Sequence, residues 1–538
     1  MTIIESESNA LPSRPATLDD RKASAPTLAP TWQLLTEGGD ARIVLDAVSG
    51  LNKYGCSTYP DPGLVALGSS TASIISPEGF AAADQLRTRL QNARSTESDA
   101  VLYANEMNRI RRELLRQCGV SEGAGVDIVF AASGTDIHLI AAQALGTGES
   151  QSPLVIMVDP NETGSGVAAA LAGRHFSSCS ALGETVSSGA VIRDAAAIEV
   201  VNVPLRNADG VARPAEDIDA DFEKLASQAA TEGRHVLLIL IDGSKTGTIA
   251  PTTACALKLQ QQFAGRIDVL VDACQFRIAP STMRAYFQRD FMVAVTGSKF
   301  VTGPTFSGAL FIPPVCARRL RRHPIPAALR AYSSRADWPQ DWETASALEP
   351  IANFGVLLRW EAALRELQAF RAVPESQVTA FITAFGNAVQ KKLQDLELLE
   401  PLPLPSLDRL PLTSASSWDH IPTIHPFLLH RPDGVNGKTV LNREQTQRVY
   451  QLLHTDLTTH PDFGVGKFDN RLAGLRCQLG QPVNCGERDG VAVSVLRICA
   501  SMRQVVQATA NDGRAAAAII EKAVLALEKA ALLAKVTT

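Results

Sequence analysis

The sequence predicts an α/β protein with a mostly parallel seven-stranded sheet between helices and a smaller α+β domain behind it. Three observations carry that expectation. The chain has 538 residues, enough for more than one structural region. Short apolar, β-branched-rich runs recur through its middle third, and helix-like stretches separate several of them. Most of these runs are continuous rather than alternating, as in strands buried on both faces of a parallel sheet.

Seven runs qualify as strands: Val126–Ala131, Leu154–Val158, Ala197–Val203, Val236–Ile241, Asp268–Val271, Phe291–Val295 and Gly308–Ile312. Ile137–Leu145 and Thr253–Phe263 read as intervening helices. Residues 1–30, rich in Ser, Pro, Ala and charge, have no periodicity and read as a disordered tail. Residues 31–118 read as an N-terminal segment serving the smaller domain and the entrance to an active site. It holds a Gly/Ser/Pro-punctuated stretch before helices at 79–94 and 99–117. The large domain is expected over 119–345. A long helix and the smaller domain fill 346–538, with strands Thr423–His430 and Val491–Ile498 and a closing helix at about 513–535.

Composition removes several classes of function. Hydrophobic residues are 45% and charged residues 20%, a globular balance rather than a disordered one. Fifty-one basic and 56 acidic residues give a net charge of −5 without a long basic run, so nucleic acid and anionic membranes are not expected partners. No apolar run reaches the roughly 18 residues of a membrane span. The N-terminus lacks a basic and apolar leader, and nine cysteines occur without a CxxC pair. Together these suggest a cytoplasmic protein with reduced thiols and no metal site.

Ligands of open α/β sheets bind at the carboxyl ends of the strands, and three such ends carry suggestive residues. In FAASGTDIHLIAAQAL a strand runs into Ser133-Gly134-Thr135 and then a helix. Free backbone N–H groups and the helix dipole make such a turn a phosphate cradle, although ordinary N-caps outnumber cradles by roughly ten to one. In IDVLVDACQF, Asp272 ends a buried strand, where a carboxylate serves either a structural ion pair or chemistry. In FMVAVTGSKFVTGPTFSGALFIP, Lys299 sits in a Gly/Ser/Thr loop after a strand. That setting suits a nucleophilic amine with a depressed pKa better than a solvated charge. His138 and His425 can be read as acid–base groups, though lone histidines are more often satisfied core or surface residues. The Arg318-Arg319-Arg321-Arg322 cluster reads as a solvated helix face, with an anionic-substrate role as the lesser alternative.

The order cradle, strand-end acid, loop lysine 27 positions later (272 to 299) resembles the fold-type I pyridoxal-5′-phosphate (PLP) enzymes. In detail it is similar to the class V aminotransferase and cysteine desulfurase group. The matching motifs are Ser133-Gly134-Thr135, Val271-Asp272-Ala273-Cys274-Gln275, and Thr296-Gly297-Ser298-Lys299 followed by Gly303-Pro304. LLILIDGSKTGTIAPT resembles the family's NExG strand end, with Ser244 at the Asn position and Gly247 retained. The resemblance implies PLP bound covalently at Lys299, with Asp272 on the pyridinium nitrogen and Gln275 on the 3′-oxygen. It places Ser133, Gly134, Thr135 and Ser298 on the phosphate, and Thr163 and Ser244 around the ring. VSVLRICASM would carry Arg497 for a substrate α-carboxylate. Read by itself, Arg497 is a structural ion-pair partner.

The sequence also departs from the pattern. Glu162-Thr163 stands where the family stacks a His or aromatic ring on the cofactor, and Ala352-Asn353 replaces a Gly-Thr supplied across the dimer. A homodimer is still the implied assembly. The implied activity is on an amino acid or its derivative, through an external aldimine and a Cα carbanion, by transamination, lysis or substitution. A second reading is sulfur transfer by Cys477, which AGLRCQLGQPV places 20 residues before Arg497 (477 to 497) in RxGxxC-like spacing. By itself Cys477 equally fits a small buried residue. A third reading is a PLP-fold protein without catalysis.

Overall fold

The computed structural model describes residues 27–146, 151–414, 417–434, 437–460, 469–510 and 514–537. Of the expected tail, residues 1–26 lie outside the described residues. Just beyond them, Leu28 donates its backbone N–H to Gln91 Oε1 at 2.6 Å.

A three-residue strand, β1 (Leu64–Ala66), comes first. The large sheet follows, with β2 (Asp127–Ala131), β3 (Leu154–Val158), β4 (Glu199–Val203), β5 (Val236–Asp242), β6 (Ile249–Ala250), β7 (Ile267–Ala273), β8 (Met292–Thr296) and β9 (Gly308–Ile312). Its order is β2–β9–β8–β7–β5–β3–β4, with β6 attached to β5. β9 and β6 run antiparallel to their neighbours, and the other pairings are parallel. All seven expected strands are present. β6 is additional, and at two residues it is too short to leave a hydrophobic pattern. Every residue of β3, β5, β7, β8 and β9 is buried, which is why these strands read as nearly continuous apolar runs, with the ion-paired Asp268 inside β7. β4, at the sheet edge, is partly exposed.

The second sheet is antiparallel and is formed by β10 (Leu399–Pro401), β11 (Ile424–Asp433) and β12 (Gly437–Val440), then β14 (Gly480–Arg488) and β15 (Val491–Cys499), while β13 (Arg476–Gln478) pairs in parallel with β1. Two of these match the expected strands, and Arg514–Val536 is the closing helix. The segment around 475–488, to which the sequence reading assigned no element, forms β13 and β14. Its clue is Asp489-Gly490, whose φ angles of 51° and 75° match the two positive values of a tight hairpin turn.

Buried arginines join the parts. Arg277, after β7, donates to Thr423 Oγ1 at 2.7 Å, the Ala500 carbonyl at 3.1 Å and Ser69 Oγ at 2.8 Å. It thus fastens the large sheet to both the second sheet and the N-terminal segment. Arg409 forks onto Asp242 at 2.7 and 2.8 Å, seating the Pro-rich segment against the end of β5. Arg319 and Arg321 are likewise structural. They pair with Asp268 at 2.6 Å and Asp127 at 2.7 Å, so half of the expected solvated cluster is engaged in ion pairs.

The lysine loop is packed without slack. A Cβ on Gly297 would lie 2.5 Å from the Ala363 Cβ, and one on Gly303 2.6 Å from the same atom. Only glycine lets this loop close on the Phe354–Arg371 helix. Thr302 and Phe306, just beyond, have φ values of 68° and 73°, costly for non-glycine residues and held by this packing.

Candidate active site

Because the main strands are parallel, the carboxyl ends of β2, β3, β5, β7 and β8 share one edge, and that edge opens on a cavity of about 260 Å³. Nine of the residues expected from the sequence line it: Ser133, Gly134, Thr135, Thr163, Asp272, Gln275, Ser298, Lys299 and Arg497. The N-terminal segment supplies Arg42, Lys53, Tyr54, Ser70 and Thr71 to the same wall, and β14 supplies Gln481 and Val483.

The cradle is built by close approach. A Cβ on Gly134 would stand 2.9 Å from the Cys274 Sγ, so the helix Gly134–Gly146 can begin here only with glycine. Ser133 donates to Asp136 Oδ2 at 2.5 Å. Burial, aided by the charge of Asp40, pushes the Asp136 carboxyl up to about 7. Arg42 completes the turn from outside the sheet. Its two terminal nitrogens lie 3.3 Å from Thr135 Oγ1 and 3.4 Å from Ser133 Oγ. Asp40 fixes the guanidinium through Nε at 2.9 Å and Nη2 at 2.5 Å, and the Phe306 ring lies 4.7 Å beneath it. Arg42 escaped the sequence reading, since nothing in LTEGGDARIVLD signals a partner 91 residues away.

Asp272 is buried at the end of β7. Burial would raise its pKa, but the His138 imidazole and the Lys299 charge outweigh this and hold the carboxyl below the usual range. His138 Nδ1 lies 2.7 Å from the Gly134 carbonyl and Nε2 lies 3.4 Å from Asp272 Oδ2. His138 is thus buried, as a core histidine would be, and also lines the cavity beside Asp272. Burial lowers the pKa of Lys299, and among the described residues its ammonium has no hydrogen-bond partner. Ser73 holds the Lys299 carbonyl at 3.0 Å. Gln275 donates Nε2 to the Ser70 carbonyl at 2.9 Å and keeps a buried, unpartnered Oε1.

Arg497, on β15, is buried and among the described residues binds only neutral acceptors: the Lys245 carbonyl at 3.2 Å, Thr71 Oγ1 at 3.0 Å and the Gln481 carbonyl. It is not the structural ion-pair partner that its sequence context alone suggested.

Two expected residues are not brought to the cavity wall. Ser244 stands behind Glu162, donating to its Oε2 at 2.7 Å. Thr246 and Arg206 bind the same carboxylate, at 2.8 and 3.2 Å, so this corner is a closed polar knot. Cys477 lies within β13, opposite Val65 of β1, and is fully buried. Burial pushes its thiol up to about 12, so it is neither exposed nor ionised as a nucleophile must be. Thr163 does reach the cavity, but the aromatic side chains on its wall besides His138 are Tyr54 and Phe306, from other segments.

This α/β architecture, with its large mostly parallel sheet and a smaller β-rich domain, is a fold shared with solved structures. A cystine C–S lyase, C-DES, solved with its product cysteine persulfide, is similar over 86% of this chain and 98% of its own, at 15% identity and a TM-score of 0.51. A NifS-like protein from Rickettsia africae is 12% identical over 85% of this chain and 98% of its own, TM-score 0.47. Sphingomonas wittichii serine palmitoyltransferase is 12% identical over 87% and 88%, TM-score 0.47. No family model matches the chain, and no curated protein matches it in sequence. No described helix is long and apolar enough to cross a membrane.

Proposed function

We propose that the protein is a PLP-dependent enzyme acting on an amino acid or a close derivative, by transamination, lysis or substitution. One observation carries the reading. Lys299, Asp272 and the Ser133-Gly134-Thr135 turn, spread over 166 positions (133 to 299), line a single cavity. The residues fit the cofactor in their chemistry. The cavity offers an unpartnered lysine, an anionic carboxylate, a glutamine with a free Oε1 and a glycine cradle that any Cβ would fill.

Ser133, Gly134, Thr135, Ser298 and Arg42 would hold the phosphate, Asp272 the ring nitrogen, Gln275 the 3′-oxygen and Lys299 the aldehyde carbon. Bound there, PLP supplies an electron sink for negative charge developing at Cα. Asp272, kept ionised by His138, would keep a proton on the ring nitrogen. Lys299, eased toward its neutral form by burial, would supply the amine that holds the group and a base able to take and return a proton at Cα. Arg497 would grip the α-carboxylate with its planar fork, exchanging neutral acceptors for an anion. The polar knot around Glu162 would hold Thr163 at the wall.

A homodimer and a cytoplasmic setting belong to the same reading. Sulfur transfer through Cys477 does not, because that thiol is sealed in a strand pair. Borohydride treatment of purified protein tests the proposal. A reducible absorbance band should disappear, and mass spectrometry should locate the fixed cofactor on Lys299. A label elsewhere, or no reducible band after incubation with PLP, rejects the assignment.

A further inference from the structure

Besides Lys299, Arg42 and Lys53, the cavity wall holds two adjacent cations joined by a hydrogen bond, Arg497 and Lys245. Lys245 lies in the turn between β5 and β6, and its backbone is pinned on both sides. Its N–H donates to the Glu162 carbonyl at 2.8 Å, and its carbonyl accepts from Arg497 Nη1 at 3.2 Å. The half-buried ammonium has one protein acceptor, the Asn161 carbonyl at 3.1 Å, leaving two of its three donor positions open. Neither cation forms an ion pair among the described residues, and Arg497 Nε is buried without an acceptor. Glu162, the carboxylate in the same wall, is already claimed by Arg206, Ser244 and Thr246.

Two adjacent cations with only neutral partners are costly to desolvate, and each becomes favourable when an anion enters. Burial pushes Lys245 down to about 8, the charges of Arg497 and Lys299 acting in the same direction and those of Glu162 and Asp159 opposing them. One α-carboxylate satisfies Arg497 and leaves Lys245, which Glu162 and Asp159 influence only at a distance, without an ion-pair partner among the described residues. We propose that the substrate is an acidic amino acid whose second anionic group is held by Lys245. The proposal rests on the PLP reading of the site, because that reading assigns Arg497 to the α-carboxylate.

Calorimetric titration of the holoenzyme with succinate and with its neutral monoamide, succinamate, tests it without turnover. Succinate should bind about tenfold more tightly, the worth of one charged hydrogen bond. Lys245→Gln should erase that preference while leaving succinamate affinity unchanged, and Lys245→Arg should keep it. Equal affinities in the wild type, or a preference that survives Lys245→Gln, overturns the proposal. So does an equal loss for both ligands, which would place Lys245 on the first carboxylate. The cofactor absorbance of the same samples separates the two readings. A succinate preference without a PLP band would sink the enzyme assignment and keep the anion site.

Discussion

His138 bridges the Ser133-Gly134-Thr135 turn and the buried acid at the end of β7: Nδ1 lies 2.7 Å from the Gly134 carbonyl, and Nε2 lies 3.4 Å from Asp272 Oδ2. With Nδ1–H committed to a carbonyl, an attractive contact to Asp272 requires a proton on Nε2 as well. Burial opposes the imidazolium, but Asp272 and the Gly134 carbonyl overcome that and raise the pKa above its ordinary 6.5. The carboxylate shifts the other way, below its ordinary 3.8. The histidine's contribution to stability is complete below 6.5 and lost as pH rises through its raised value. The aspartate's is complete above 3.8 and lost as pH falls through its lowered one. Both operate between those limits. His138→Gln should therefore cost about 3 kcal/mol in denaturant titrations near pH 5.5 and clearly less near pH 9. A cost independent of pH would contradict the pairing.

Lys299→Ala and Asp272→Asn should separate attachment from electronics. The alanine variant should lose the reducible band altogether. The asparagine variant should keep it but turn over about a thousandfold more slowly, as judged by single-turnover kinetics on any substrate found for the wild type. Undiminished turnover in Asp272→Asn would remove the carboxylate from the mechanism.

Arg42→Lys keeps a positive charge but loses the fork that spans Ser133 and Thr135. The PLP dissociation constant, read from absorbance during dialysis and reconstitution, should rise about tenfold. The position of the band should not move, since the ring contacts lie elsewhere. An unchanged dissociation constant would assign Arg42 to holding Asp40 and the segment around it.

Cys477→Ser should leave any sulfide release from cysteine untouched while lowering stability by about 1–2 kcal/mol, because the hydroxyl would be buried in β13. Thermal melts and a sulfide assay on the same preparation distinguish the outcomes. A selective loss of sulfide release at unchanged stability would restore the sulfur-transfer reading.

The seven main strands and nine cavity residues were legible in the chain, and the reasons are local. Strands covered on both faces must be apolar throughout, so polar residues at their carboxyl ends stand out, as Asp272 does after Asp268–Val271. The TGSK and ASGT turns reveal themselves by small residues that allow close backbone approach. By contrast, β14 carries Pro482, Asn484 and Gly486 in a half-exposed strand, and its register comes from the neighbouring β15 rather than from its own pattern.

Sequence by itself determined where the strands lie along the chain and which of their ends are polar, because burial acts on each segment independently. Only the tertiary structure decided what those ends face. Arg42 reaches a cradle 91 residues away, Arg497 meets Thr71 across 426 residues, and Cys477 pairs into a strand instead of approaching the lysine. Contacts at such separations arise from the packing of two sheets and an N-terminal segment, and no local periodicity records them.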